Sequence, residues 1–109
     1  MFLGLADAGE DAPFVLDGFQ TPARARALRD RGAVGEVCGW VFDADGRLLP
    51  PPSNQRVTSA PLPDPGRTSV VGIAMGERKR AAIRAALRGG MFTVFMTDEA
   101  TAQWLVANP

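Results

Sequence analysis

The sequence predicts an α/β protein: an open, mostly parallel sheet with flanking helices. Two observations carry that reading. The runs "SVVGIAM" (69–75) and "MFTVFM" (91–96) are continuous, apolar and too short for helices, the pattern of strands buried on both faces. Each is followed by a capped helical segment, so 69–107 reads β-α-β-α, the order of parallel strands joined by right-handed crossovers.

The other elements follow in order. "MFLGLADAG" opens apolar, with no cap or turn before it, and reads as the end of a strand, as though the chain began in mid-fold. "DAPFVLDGF" is a loop or short turn. In "TPARARALRDRG", Thr21 is the expected N-cap, Pro22 the first helical residue and Gly32 the stop, which predicts a helix over 22–31. "EVCGWVFD" (36–43) reads as one strand ending at the turn signal Asp45-Gly46. The proline-dense 47–68 is expected to be a long surface connection, with at most a short extended piece near 56–60. A helix is predicted over 77–88, closed by Gly89-Gly90, and a last one in "TDEATAQWLVA", capped by Thr97.

A chain of 109 residues holds one small domain, 1–109, and no internal repeat is visible. Twelve basic residues balance twelve acidic ones, so there is no overall field to draw non-specific DNA or an anionic membrane. With no histidine and a single cysteine, the composition excludes a Cys/His zinc site, an internal disulfide and a histidine-based triad. One unpaired cysteine fits a reducing cytoplasm, and no apolar run approaches a membrane span. No cofactor fingerprint is present.

The basic stretch "GERKRAAIRAALRGG" (76–90) divides by helical phase. Ile83, Ala86 and Leu87 define a buried stripe, and Arg80, Arg84 and Arg88 form a ladder on another face, expected to be solvated. Lys79 falls beside the stripe, in the first turn after a strand's carboxyl end. Ligands of open α/β sheets gather there, and helix N-termini hold anions. Lys79 could contact a phosphate or a sugar hydroxyl; alternatively its stem snorkels to water. Glu36, at the head of a strand, could bind sugar hydroxyls, pair with Lys79, or face solvent. Thr97 and Asp98 are explained by capping but also follow a strand's carboxyl end and could line the same cleft. Asp43 and Asp45 lack the rest of a calcium-loop series and read as a β-turn. Trp40 and Trp104 read as core or interface, and Cys38 as a small buried hydrophobe.

Taken together, "GAVGEVCGWVFDADGR", "NQRV" and "VVGIAMGERKRAAIRAALRGGMFTVFMTDEATAQWL" resemble the carboxyl-terminal half of the sugar-binding domain of SorC-type, DeoR-related bacterial transcriptional regulators. The resemblance covers nearly the whole chain. It implies a truncated domain with a fold similar to the phosphosugar isomerase, deaminase and CoA-transferase group. It further implies a sugar or phosphosugar effector, dimers or tetramers, and operator binding by a separate helix-turn-helix domain rather than by this chain. The family's acid after the glycine, and the lysine of its G-x-x-K motif, help hold the effector; these match Glu36 and Lys79, with Gly76 opening the motif. Arg56 of "NQRV" matches a family arginine. Met75 stands where the family carries glycine. Two rivals follow from the same residues: a sugar-phosphate isomerase or deaminase remnant with Glu36 as base, and an oligomerisation module without ligand.

Overall fold

The computed structural model describes residues 1–9, Leu16, 21–50 and 61–109. Two three-stranded sheets share one bent opening segment. Strand β1 (Phe2–Gly4) joins a parallel sheet of order β1-β5-β6, with β5 at Val71–Ile73 and β6 at Val94–Met96. One residue later the chain enters β2 (Ala6–Asp7), which begins an antiparallel sheet of order β2-β3-β4. There β3 is Gly35–Val37 and β4 is Trp40–Phe42. Among the described residues, helix α1 spans Pro22–Asp30, α2 Arg80–Arg88 and α3 Glu99–Ala107, with a 3₁₀ turn at Glu77–Lys79 leading into α2.

The β5-α2-β6-α3 order is the predicted one, and β5 pairs in parallel with both neighbours. Thr93 pins the start of β6: its hydroxyl accepts from the Val70 amide at 2.8 Å and donates to the Val70 carbonyl at 3.0 Å. Around α2 lies the main core of Leu5, Val37, Phe42, Ala74, Ala82, Ile83, Ala85 and Ala86. A second cluster, Ala8, Leu28, Ala33, Val41 and Leu49, sits under α1. The small residues of α2 permit close approach. A Cβ on Gly35 would come within 2.8 Å of Ala82 Cβ and 2.5 Å of the Phe42 ring.

Thr21 caps α1 as expected, accepting from the Arg24 amide at 3.1 Å, and Asp43 closes the Asp45-Gly46 turn by accepting from the Asp45 and Arg47 amides.

Several expectations are corrected. The run 36–43 is not one strand but a hairpin. Cys38 (φ 52°) and Gly39 (φ 87°) form its two-residue turn, and both positive φ values suit the type I′ geometry of tight hairpins. Cys38 is therefore exposed rather than buried. The parallel strands are not covered on both faces, since Phe2, Ile73, Val94 and Met96 stand exposed on one side. The buried stripe of α2 runs through Ala82, Ile83, Ala85 and Ala86, while Leu87 is 40% exposed. Asp98, not Thr97, caps α3, its carboxylate accepting from the Thr101 amide. The arginine ladder is not a free solvated face. Arg80 and Arg84 lie over the Trp104 ring of α3 at 5.8 and 5.2 Å, and Arg88 donates to the Pro109 oxygen at 2.6 Å. Most of "DAPFVLDGF" and all of 51–60, including the extended piece expected near 56–60, lie outside the described residues.

Candidate functional site

A cleft of about 490 Å³ opens where β2 and β5 end, lined by Asp7, Leu16, Met75, Gly76, Glu77, Arg78 and Lys79. The backbone builds it. After β5, Ala74 is held by the Met96 carbonyl of β6 at 3.2 Å, and the chain then reverses through Gly76 at φ 106°, ψ 152°. Only glycine adopts that conformation readily. The reversal starts the 3₁₀ turn, closed by the Lys79 amide on the Gly76 carbonyl at 3.1 Å. Lys79 is thereby set half-buried at the mouth of the cleft, directly ahead of α2.

Asp7, the last residue of β2, lines the same cleft. Its side chain is only 17% exposed; one oxygen accepts from the Gly9 amide at 3.3 Å and faces the Arg78 guanidinium at 3.7 Å. Charge-assisted bonds to carboxylates ordinarily close to about 2.7–2.9 Å, so this pair is loose. Among the described residues, the cleft thus carries two carboxylates, Asp7 and Glu77, and two cations, Arg78 and Lys79.

Asp98 stands behind the glycine turn. Its carboxyl is held below the ordinary carboxylate value, first by the Thr101 hydroxyl beside it, against the opposing effect of burial, then by the Thr101 and Gly76 amides. The Thr101 hydroxyl is wholly buried and lies near that carboxylate without full hydrogen-bond geometry. Thr97 donates to Asp98 at 3.4 Å. Asp98 thus sets the start of α3 beside the Gly76 turn, and neither it nor Thr97 is among the residues that line the cleft.

Glu36 is placed differently. Residues directly opposite in an antiparallel pair share a face, and successive residues alternate. Glu36 pairs with Ala6 and Val41, whereas Asp7 pairs with Gly35, so the two carboxylates lie on opposite faces of the sheet. Glu36 accepts from the Gly39 amide at 2.7 Å and so closes its own hairpin. The structure brings Gly76 and Lys79 to the cleft, with Asp98 bracing it, and leaves Glu36 elsewhere. Arg56 lies outside the described residues. Sequence reasoning missed Asp7 and Arg78. A single acid ending an apolar run was the one available signal.

The comparisons agree with this architecture. A family profile described as a sugar-binding domain matches residues 1–107. The erythritol catabolism regulatory protein EryD of Brucella abortus is 30% identical over 107 residues, which are 98% of this chain and 34% of that protein. A DeoR family transcriptional regulator from Listeria monocytogenes superposes with a TM-score of 0.86 at 24% identity, covering 95% of this chain and 42% of that one. The full-length sorbitol operon regulator SorC from Klebsiella pneumoniae superposes with a TM-score of 0.77 at 22% identity, covering 96% and 34%. The chain spans about a third of the length of the curated relatives it matches. It belongs to the family of sugar-binding domains that this profile describes, with relatives named as transcriptional regulators.

Proposed function

We propose that this chain is the carbohydrate effector-sensing part of a transcriptional regulator, one domain over 1–109, and that its effector sits in the cleft between Asp7 and Lys79. The observation that supports this most is the Gly76 reversal, which sets a half-buried lysine at the carboxyl ends of the strands, in a cleft that the Asp7 carboxylate also lines. Sugar hydroxyls both donate and accept, so an acid and an ammonium lining one cleft suit them. A ligand bridging β2 and the start of α2 would favour one packing of the domain over another, and operator affinity elsewhere in the regulator would follow that population shift.

The same reading makes the chain a binding module rather than an enzyme, working in the cytoplasm without touching nucleic acid itself. Its relatives are named as regulators. Of the basic stretch, Arg80 and Arg84 lie over Trp104 and Arg88 donates to the Pro109 oxygen. No helix among the described residues is long and apolar enough to cross a membrane. Assembly as a homo-oligomer belongs to the proposal too, supported by the exposed apolar side of the parallel sheet, a face that parallel sheets normally cover.

Isothermal calorimetry with a panel of sugars and sugar phosphates tests the site. Lys79→Ala is expected to weaken the best ligand by about tenfold or more, the loss of one hydrogen bond to a charged group. Unchanged affinity across the panel would remove Lys79 from the site.

A further inference from the structure

We propose that Asp7 sets the ligand class of this cleft: it selects a neutral polyol or unphosphorylated sugar and disfavours a phosphate. The inference rests on the carbohydrate reading above and deepens it. An ionised carboxylate offers about four acceptor positions and no donor. Here Oδ2 takes the Gly9 amide and faces Arg78, while Oδ1 makes no hydrogen bond to a described residue. The group is largely withdrawn from water yet its residue lines an open cleft, which leaves Oδ1 as spare acceptor capacity for an entering hydroxyl. A pair of neighbouring hydroxyls supplies two donors to such a group.

A phosphate supplies none when fully ionised and brings like charge against the acid. Without Asp7, the opposite class would be favoured, because Arg78 and Lys79 both attract anions. Asp7 opposes that attraction by adding negative charge to the cleft, beside the Arg78 guanidinium at 3.7 Å. Specificity here comes from a repulsive element as much as from an attractive one. Lys79 then serves as a donor to a hydroxyl or ring oxygen rather than as half of a phosphate clamp.

The test is calorimetry on the full chain with matched pairs, tetritols to hexitols and aldoses against their terminal phosphates, at low and moderate salt. The wild-type chain is expected to bind a neutral member at least about tenfold more tightly than its phosphate. Asp7→Asn, nearly isosteric, should weaken the neutral member and strengthen the phosphate, reversing or erasing the preference, with a thermal unfolding midpoint close to wild type. Arg78→Met should leave the wild-type preference in place. A wild-type chain that prefers the phosphate, or a preference that survives Asp7→Asn, overturns the role of Asp7 and leaves the carbohydrate reading standing. A wild-type chain that binds neither class overturns both.

Discussion

Helix α2 has glycine near each end, and the two ends use it for opposite purposes. At the carboxyl end, Gly89 packs against Gly46 of the turn after β4. A Cβ on Gly46 would meet the Ala85 carbonyl at 2.3 Å and Gly89 Cα at 2.6 Å. At the amino end, a Cβ on Gly76 would meet nothing within 4 Å, and only the positive φ requires glycine there. One end is closed by contact; the other is shaped by backbone conformation and left roomy. A helix fixed at one end and open at the other is suited to present side chains from its free end to a ligand.

The sharpest way to break that contrast is Gly46→Ala. It combines a backbone clash at both neighbours with a positive φ of 77°. We expect a loss of about 4 kcal/mol, a large share of a small domain's stability, measured by urea denaturation. A loss under about 1 kcal/mol would show that the Gly46–Gly89 contact yields readily.

Gly76→Ala separates the two ends. There is no clash, so the cost is conformational alone, about 1–3 kcal/mol for a residue in a region open essentially to glycine. The more telling readout is binding. Because Gly76 sets the turn carrying Lys79, carbohydrate affinity should fall even at temperatures where the variant is fully folded. An affinity that tracks only the folded fraction would mean that the turn does not position Lys79.

The sequence made much of the frame legible and less of the site, for reasons that can be traced to particular residues. Helix α1 was readable because Thr21, Pro22 and Gly32 each satisfy a local backbone requirement. The hairpin was hidden because its turn is Cys38-Gly39 rather than the usual Asn-Gly, and because apolar Val37 and Trp40 flank it, making one continuous run. Helical phase correctly separated Lys79 from the arginine ladder. It could not show that Trp104, some twenty residues on, would lie beneath Arg80 and Arg84, since phase names a face and not its neighbour. Glu36 attracted notice as a costly acid in a strand, and its partner is the amide of its own turn, a satisfaction invisible without the hairpin. Asp7 carried no spacing signal at all; only the pairing of β2 with β3 puts it on the face toward α2.

The smallest effect concerns Asp98, which connects the open end of α2 to α3. Its folded value lies below the ordinary carboxylate value because the Thr101 hydroxyl, and the Thr101 and Gly76 amides, favour the charged form over the opposing effect of burial. A depressed carboxylate contributes stability that is fully present above its unfolded value, about 3.9. That contribution fades as pH falls through the lower folded value. Acidification below about pH 4 should therefore weaken the tie between the cap of α3 and the Gly76 turn. Asp98→Asn keeps a competent cap while removing the titration, since asparagine caps about as well as aspartate. Its urea midpoint should stay near wild type at neutral pH and decline less steeply on the acid side. Carbohydrate affinity, measured over the same range, should follow the same pattern, because the Gly76 amide that lowers the Asp98 carboxyl belongs to the residue that opens the cleft. Identical acid limbs for the two proteins would show that Asp98 caps its helix without bracing the turn that presents Lys79.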